Sequence, residues 1–451
     1  MNISGWLAAG VVLTLAGCTL YHAAPLDTGP TWPKDISRLT VDAHSLPFPE
    51  LASHVFDPRD GLDMTEVAML AVVNNPDLSL ARADLGLAQA QAFDAGLLPD
   101  PQFSYSPQIP ETGTPGENVI AFDVGLNYDL SALMLHHSRQ AAANAEVRKA
   151  DLALLWQEWQ VVGEARLLFV RLRAEHLMQD ELEQQQQLAQ RLCEADRRAL
   201  EQGNSTTVNL ALDEGNLADI QHQLGDNQLM LSQNTAALNR LLGLPPMTRL
   251  VLVGDDHLVV PEAAQVNAEL PTLAQRRPDL LAMQAGYDAE DQRLWQAILG
   301  QFPAINAGLL KARDNNGTNY HGYAVSLNLP IFNRNRGAIA IETATRQRMH
   351  EEYQQRLQTA WQEISQILTD LDIQNNTLQQ VRDNLVGQDR LLGQAGLAFQ
   401  AGNMDLPTWI SLQQARLTRA LQETALEGAL QEERVALLTL SGSEFDTGKR
   451  P

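Results

Sequence analysis

The length and charge of the chain exclude several classes of protein. It has 451 residues, of which 44% are hydrophobic and only 5% aromatic, and a formal net charge of −23. This length exceeds what one compact domain usually needs, and the negative charge argues against a nucleic-acid partner, which requires a basic face. Because the apolar residues recur in periodic segments, the sequence also disfavours a disordered chain.

The N-terminal segment has the pattern of a lipoprotein signal peptide. Its apolar run from Trp6 to Ala16 is shorter than the ~20 residues that a membrane-spanning helix needs. Small residues then precede Cys18, so we predict that residues 1–17 are removed and that Cys18 carries a covalent lipid, detectable as palmitate. Thr19 follows instead of an aspartate, which predicts the outer membrane as destination. Cys193 is interpreted as a packing residue, so no disulfide is expected.

The rest of the chain is predicted to be an internal duplication. The paired landmarks are Asn75-Pro76-Asp77-Leu78 with Arg277-Pro278-Asp279-Leu280, Pro101 with Pro303, Val124-Gly125-Leu126-Asn127 with Val325-Ser326-Leu327-Asn328, and Gly203-Asn204 with Gly402-Asn403. They recur in one order about 200 residues apart, a period much longer than that of solenoid repeats. The predicted units are an extended linker over residues 18–64, repeat 1 over 65–245, a linker over 246–267, repeat 2 over 268–442 and a tail over 443–451.

Each repeat is predicted to begin with a helical run followed by two strands. Residues 65–96 are rich in helix-favouring Ala, Leu and Gln, with a break at Pro76 and prolines at the end. In the hairpins 102–130 and 304–332, with loops at 107–118 and 314–320, apolar residues alternate with polar or small ones, a pattern typical of strands with one apolar face. The residues expected to face lipid are Phe122, Val124, Leu126, Tyr128, Tyr323, Val325, Leu327 and Leu329. Asp123, Asn127, Ser326 and Asn328 are expected to face a lumen.

After each hairpin the sequence predicts two helices of unusual length. Residues 132–202 contain a single glycine, Gly163, and no proline. Residues 337–401 also contain no proline, and after the initial Gly337 their three glycines lie near one end. Such lengths exceed those of globular helices and favour coiled-coil packing. Return helices are predicted over residues 206–242 and 406–440, after turns at Gly203-Asn204 and Gly402-Asn403.

The strands predict a membrane barrel that several copies share. Four strands cannot close a barrel alone, since known membrane barrels have about eight strands or more, and an open edge cannot lie in lipid. The alternative is a soluble four-stranded sheet packed on helices. The lipoprotein signal and the long helices favour the barrel, so the predicted fold is mainly α-helical with a shared membrane β-barrel.

In the order of these landmarks the chain resembles the TolC-like outer membrane factors. The resemblance rests on Pro76-Asp77-Leu78, Pro278-Asp279-Leu280, Ala95-Gly96-Leu97-Leu98-Pro99, the two hairpins and the two Gly-Asn turns. It implies a homotrimer in which four strands per chain form a 12-stranded barrel, continued by a helical periplasmic tunnel. The tunnel would meet a periplasmic adaptor and an inner-membrane pump. Residues 95–101 are more similar to the metal-exporting branch, which is partnered with resistance-nodulation-division pumps.

The resemblance also implies that Gly203, Asn204, Gly402, Asn403 and Asp405 form the periplasmic tip and dock the adaptor. Where many relatives carry a ring of acidic residues, this chain has Thr408 and Ser411. Asp405, or Asp213 with Glu214, could replace that ring; a solvated helix face is the alternative interpretation.

The sequence contains no motif of nucleotide binding, of a zinc protease or of a nucleophile elbow. The neighbouring His136 and His137 point about 100° apart on a helix, which disfavours a shared metal ion. We therefore expect no enzyme activity, no metal and no cofactor other than the lipid on Cys18. The sequence leaves open whether metal ions, drugs or polypeptides are exported, and whether the chain is instead a secretion channel or a structural envelope lipoprotein without a pore.

Overall fold

The computed structural model describes residues 21–30, 32, 40–42, 46–109, 120–255 and 258–442. The predicted signal peptide, its Cys18 and the C-terminal tail from 443 lie outside the described residues. The described part is mainly helical and carries one four-stranded antiparallel sheet, which confirms the predicted fold class.

The two repeats contain equivalent elements. Repeat 1 and the segment before it comprise α1 (Pro49–Ser53), α2 (Met64–Asn74), α3 (Pro76–Ala95), β1 (Gln102–Gln108), β2 (Ala121–Asp129), α4 (Leu130–Glu201) and α5 (Thr207–Leu241). Repeat 2 and the segment before it comprise α6 (Ala263–Glu269), a 3₁₀ turn (Leu270–Thr272), α7 (Leu273–Arg276), α8 (Pro278–Leu299), β3 (Ala304–Arg313), β4 (Asn319–Asn328), α9 (Arg336–Gln400) and α10 (Leu406–Ser441). With 72 and 65 residues, α4 and α9 are each roughly 100 Å long.

The helix junction at the start of each repeat is held to the end of its own return helix. Asn75 caps α3 by accepting a hydrogen bond from the Leu78 amide at 3.0 Å, and its Nδ2 donates to the Leu241 carbonyl at 3.1 Å. In repeat 2 the equivalent Arg277 donates to the Leu440 carbonyl at 3.1 Å. The duplicated positions therefore perform the same task with different side chains, because each satisfies a carbonyl that its helix end leaves free.

Arg277 also organises a buried ionic network. Its guanidinium is 0% exposed, lies 4.6 Å from the ring centre of Trp156 and donates to both oxygens of Asp279, at 3.0 and 2.7 Å. Arg356 of α9 donates to the same carboxylate at 2.9 Å. Burial acts to raise the pKa of Asp279, but the hydrogen bonds from both arginines outweigh it, so its pKa lies below the usual value.

Within the described residues the hydrophobic core forms two clusters, each built mainly on one repeat. The first joins α1 and α2 to the middle of α4 and the end of α5, and the second joins α6, α7 and α8 to α9 and α10. Helix α4 packs against both, since it contacts α2, α3, α5, α8 and α10. Gly163 allows this approach, because a Cβ there would overlap the side chain of Thr439 on α10. No helix in the described ranges combines the length and the apolarity needed to cross a membrane.

The sheet has the strand order β1-β2-β3-β4, so β1 and β4 are its edges. One strand boundary differs from the prediction. Strand β4 ends at Asn328, which leaves Leu329 and the residues after it outside the strand. The cause is Pro330, which has no amide hydrogen to donate to a ladder. Pro107 lies within β1 and not in the predicted loop; as an edge strand, β1 tolerates the missing donor.

Candidate functional site

One face of the sheet is apolar and exposed. Residues directly opposite in antiparallel strands project from the same face. The register aligns Phe103, Leu126, Leu309 and Tyr323 across all four strands, and Tyr128, Ala307 and Val325 across three. Seven of the eight residues that we expected to face lipid therefore share one face: Phe122, Val124, Leu126 and Tyr128 on β2, and Tyr323, Val325 and Leu327 on β4. The eighth, Leu329, lies just beyond β4 and is also exposed.

The opposite face of the sheet is mainly polar or small. It carries Gln102, Ser104, Asp123, Gly125, Asn127, Asn306, Gly308, Gly322, Ser326 and Asn328. Two large side chains on this face, Leu310 and Tyr320, are exceptions, and the alternation in the neighbouring strands does not predict them. The sheet thus separates an apolar surface from a polar one, as the two sides of a barrel wall would require.

A second group of exposed apolar residues lies where the sheet meets the helices. Leu98 follows α3, Phe302 follows α8, and Ile331 and Phe332 follow β4. All four belong to the connections between strands and helices, and each is exposed. They lie at the end of the sheet from which the long helices begin.

The two helical turns at the far end have the same geometry. Gly203 and Gly402 have φ angles of 73° and 75°, a conformation that favours glycine. The backbone N–H of Asn204 donates to the Ala199 carbonyl at 2.7 Å, and the backbone N–H of Asn403 donates to the Ala398 carbonyl at 2.9 Å. These bonds close a helix end in the Schellman pattern. The turns therefore reverse the chain tightly, at equivalent positions in the two repeats.

Asp405 begins the return helix of the second repeat. Its carboxylate accepts a hydrogen bond from the Thr408 amide at 2.8 Å, so it is the N-cap of α10. Hydrogen bonds from the side chain and the backbone of Thr408 hold its pKa below the usual value. Thr206 caps α5 in the same way. Asp405 is thus an ionised group at the turn, and capping accounts for its position without any further role.

A pair of carboxyl groups faces across the first hairpin. The pKa of Asp213 of α5 is raised to about 6. The main cause is burial, and a hydrogen bond and charge repulsion from Asp196 of α4 add to it. Arg197 and Glu214 form an ion pair at 2.9 Å beside them, and Cys193 is buried nearby. Our sequence reasoning considered Asp213 but missed its partner. The signal was available, because residues 196 and 213 lie at equal distances from a turn near 204.

A groove lies near the second turn, between α4, α9 and α10. It has a volume of about 500 Å³, and Gln187, Arg191, Trp409 and Arg416 line it. The ring of Trp409 stacks on Phe399, with ring centres 5.8 Å apart and planes inclined by 10°. The groove thus offers one flat apolar wall with several amide groups and two arginines, of which Arg416 is paired with Asp389 at 3.0 Å. The described residues contain no cluster of three or more potential metal-binding side chains.

Comparisons with known proteins agree with this architecture. Residues 270–443, most of repeat 2, match the family described as outer membrane efflux protein. No curated protein sequence matches the chain. The Campylobacter jejuni CmeC outer membrane channel has 16% identity and a TM-score of 0.72, covering 96% of this chain and 95% of its own.

Two further solved structures share the fold. The Vibrio cholerae outer membrane protein VceC has 16% identity and a TM-score of 0.68, covering 84% of this chain and 96% of its own. The Neisseria gonorrhoeae MtrE outer membrane channel, in its open state, has 17% identity and a TM-score of 0.61, covering 94% and 97%. At these identities the likeness concerns the fold, and it extends over nearly the full length of each channel.

Proposed function

We propose that this chain, whose residues 270–443 match the outer membrane efflux protein family and whose fold is that of outer-membrane channels, is the outer-membrane channel of a tripartite efflux system of the TolC-like type. Three copies form the channel, which gives passive exit to substrates. An inner-membrane pump supplies the energy, and a periplasmic adaptor connects the pump to the channel.

The two-faced sheet is the observation that carries this proposal. Its edges, β1 and β4, have no strand partner within the described chain, and unpaired backbone groups are too costly to place in lipid. Twelve strands from three chains would close a barrel of ordinary size and leave no edge. The apolar face would then contact lipid and the polar face would line the lumen.

The height of the apolar face supports this placement. Residues from His321 to Leu329 span about 26 Å along the strand, at about 3.3 Å per residue. With the strands tilted by about 40°, this corresponds to about 20 Å along the membrane normal, close to the apolar band of about 25 Å in membrane barrels. Ile331 and Phe332, both exposed, extend the band at the side of the helices.

We assign the two turns at Gly203 and Gly402 to the periplasmic tip. Each turn ends a helix of roughly 100 Å, so the tip lies far from the membrane. Six hairpins in a trimer would surround one opening, and Asp405 would add a negative charge from each chain. The groove beside Trp409 is our candidate for adaptor docking, since it combines an aromatic wall with cationic and amide groups. A pump of the resistance-nodulation-division type and the lipid on Cys18 belong to the same proposal.

Channel conductance tests the proposal directly. We expect the purified protein to form trimers that survive in SDS and dissociate on heating, and to give discrete conductance steps in a planar bilayer. A structural envelope lipoprotein would give none. A polypeptide-secretion channel would conduct as well, so cells that lack the gene should be tested for loss of metal tolerance, of drug tolerance and of secreted protein. Only one of the three losses is expected, and it identifies the exported class.

The lipid anchor and the tip need separate tests. Replacing Cys18 with Ser should abolish palmitate labelling, and undiminished labelling would contradict the anchor. For the tip, single cysteines at Asn204 and Asn403 should crosslink in cells to a cysteine-bearing adaptor, whereas one at Asn316, in the β3–β4 turn, should not. Crosslinks from Asn316 alone would show that the molecule has the opposite orientation.

A further inference from the structure

Three basic residues lie together at one end of the apolar face. Lys311 pairs with Val124 on one side and with His321 on the other, and Arg313 pairs with Phe122 and Asn319. Lys311, Arg313 and His321 therefore project from the face that carries Leu126 and Val325. Residues directly opposite have Cβ atoms about 5 Å apart, and alternate residues on a strand are about 7 Å apart. Lys311, Arg313 and His321 thus form one patch, which we call the basic patch.

The basic patch lies at the upper boundary of the apolar band. It adjoins the β3–β4 turn, at the opposite end of the sheet from the helices. Below it, the same face is apolar down to Leu327. Basic groups cost about 2–4 kcal/mol at the middle of a membrane but little near its surface, so the patch marks the level of the lipid headgroups. A lysine stem can also extend along the apolar surface while its ammonium reaches the headgroups.

No acidic partner neutralises the patch in the described part of the chain. Lys311 and His321 are exposed, and the Nε atom of Arg313 is buried without a hydrogen-bond partner. Among the described carboxylates at this end of the sheet, Asp123 projects from the polar face. Asp314 accepts hydrogen bonds from the Asn316 amide at 2.9 Å and from the Tyr320 hydroxyl at 2.8 Å. On a chain with a net charge of −23, a group of basic residues on an apolar face requires a separate explanation.

We propose that the basic patch binds the phosphate groups of anionic lipids in the outer leaflet. The inference rests on the proposed function, because it requires the apolar face to contact the membrane. Phosphate suits the patch, since a lysine, an arginine and a histidine can each donate hydrogen bonds to its oxygens. In a trimer the patch would occur three times around the barrel and would hold lipid beside the wall.

The proposal predicts a measurable affinity for phosphorylated lipid. A lysine or arginine near an anionic lipid surface contributes about fivefold to binding, so removing two of them should weaken binding by about 30-fold. The test uses the full-length trimer in detergent, titrated with diphosphoryl lipid A and followed by native mass spectrometry. The test variant is Lys311→Gln with Arg313→Gln. The matched control is Arg148→Gln with Arg348→Gln, which removes two exposed arginines from helices.

We expect the lipid A affinity to fall about 30-fold in the test variant and to stay unchanged in the control. Dephosphorylated lipid A should bind the unmodified trimer as weakly as lipid A binds the test variant. Equal affinity of test and control variants, or equal binding of both lipids, would overturn the proposal. Restoring the charges with Lys311→Arg and Arg313→Lys should restore binding, which excludes a folding defect as the cause.

Conductance separates this inference from the proposed function. The test variant should form trimers and conduct like the unmodified protein, because the patch lies outside the lumen. If the unmodified protein conducts but binds both lipids equally, only the lipid site is wrong. If it forms neither trimer nor channel, the proposed function fails.

Discussion

An arginine placed on either face of β4 tests the assignment of the barrel wall. Val325 and Ser326 are neighbours on this strand, both are exposed, and they project from opposite faces. Val325 lies four residues from His321 and four from Leu329, so it occupies the middle of the apolar band. Val325→Arg and Ser326→Arg therefore introduce the same side chain at nearly the same height, once toward the proposed lipid and once toward the proposed lumen.

The expected difference in stability between the two variant trimers is large. An arginine facing lipid at the membrane midplane destabilises a barrel by about 2–4 kcal/mol, and a trimer would carry three such substitutions, or about 6–12 kcal/mol. This is comparable with the whole stability of an ordinary domain, about 5–15 kcal/mol. Ser326→Arg should cost less than about 1 kcal/mol, because water can solvate the guanidinium in a lumen.

The assay is the fraction of trimer that survives in SDS as temperature rises, with the oligomer resolved by electrophoresis. Val325→Arg should lose the trimer at low temperature, whereas Ser326→Arg should melt close to the unmodified protein. Tyr105→Arg supplies a control for depth, because Tyr105 lies at the level of Lys311 and should cost only about 0–1 kcal/mol. Equal loss in Val325→Arg and Ser326→Arg would refute the assignment of the two faces.

Three further predictions concern the helices. Arg277→Ala should destabilise the protein by about 3–5 kcal/mol in thermal unfolding, because it removes a fully buried partner of Asp279; a loss below about 1 kcal/mol would show that the network is not structural. Gly402→Ala should cost about 1–2 kcal/mol, since its φ of 75° strains an L-residue, whereas Gly387→Ala, inside a helix with open space around it, should be neutral or stabilising. The raised pKa of Asp213, about 6, implies that the stabilisation by its protonated form is fully present below about pH 4 and is lost as pH rises through about 6. Allowing for solvent screening of a partly exposed group, this is about 1 kcal/mol. Asp213→Asn should abolish that pH dependence in hydrogen exchange at the first hairpin, and an unchanged dependence would remove Asp213 as its source.

The fold could be predicted because its main signals are local in the sequence. Alternation of apolar and polar residues identifies a strand and both of its faces at once. The absence of proline over some 70 residues identifies a long helix, and Gly-Asn identifies a helical reversal. Each signal also occurs twice about 200 residues apart, so a weak pattern in one repeat was supported by its counterpart in the other.

The side-chain networks could not be predicted, because they join residues that are distant in sequence. Arg277 stood out only as part of a repeated Pro-Asp-Leu landmark, and nothing local shows that α9 brings Arg356 to the same carboxylate. Asp405 could be assigned to the turn, but its capping bond became visible only in the structure. The basic patch likewise depends on register, since it forms only when β3 pairs with β4 so that Lys311 meets His321.

The two helical hairpins that we assign to the periplasmic tip differ in glycine content, which predicts where they move. In the half of α4 nearest the first turn there is no glycine, whereas α9 contains Gly387, Gly393 and Gly396 in the corresponding part. Each helical glycine costs about 1 kcal/mol relative to alanine, while the other half of α9 is held by Arg356 in the buried network. A helix fixed at one end and weakened at the other should open from the weak end. We therefore expect faster amide exchange in α9 beyond Gly387 than in α4 at the same distance from its turn. Replacing Gly387 and Gly393 with alanine, where the surrounding space is open, should bring the two rates closer and reduce channel opening. Faster exchange in α4 of the unmodified protein would contradict the reasoning.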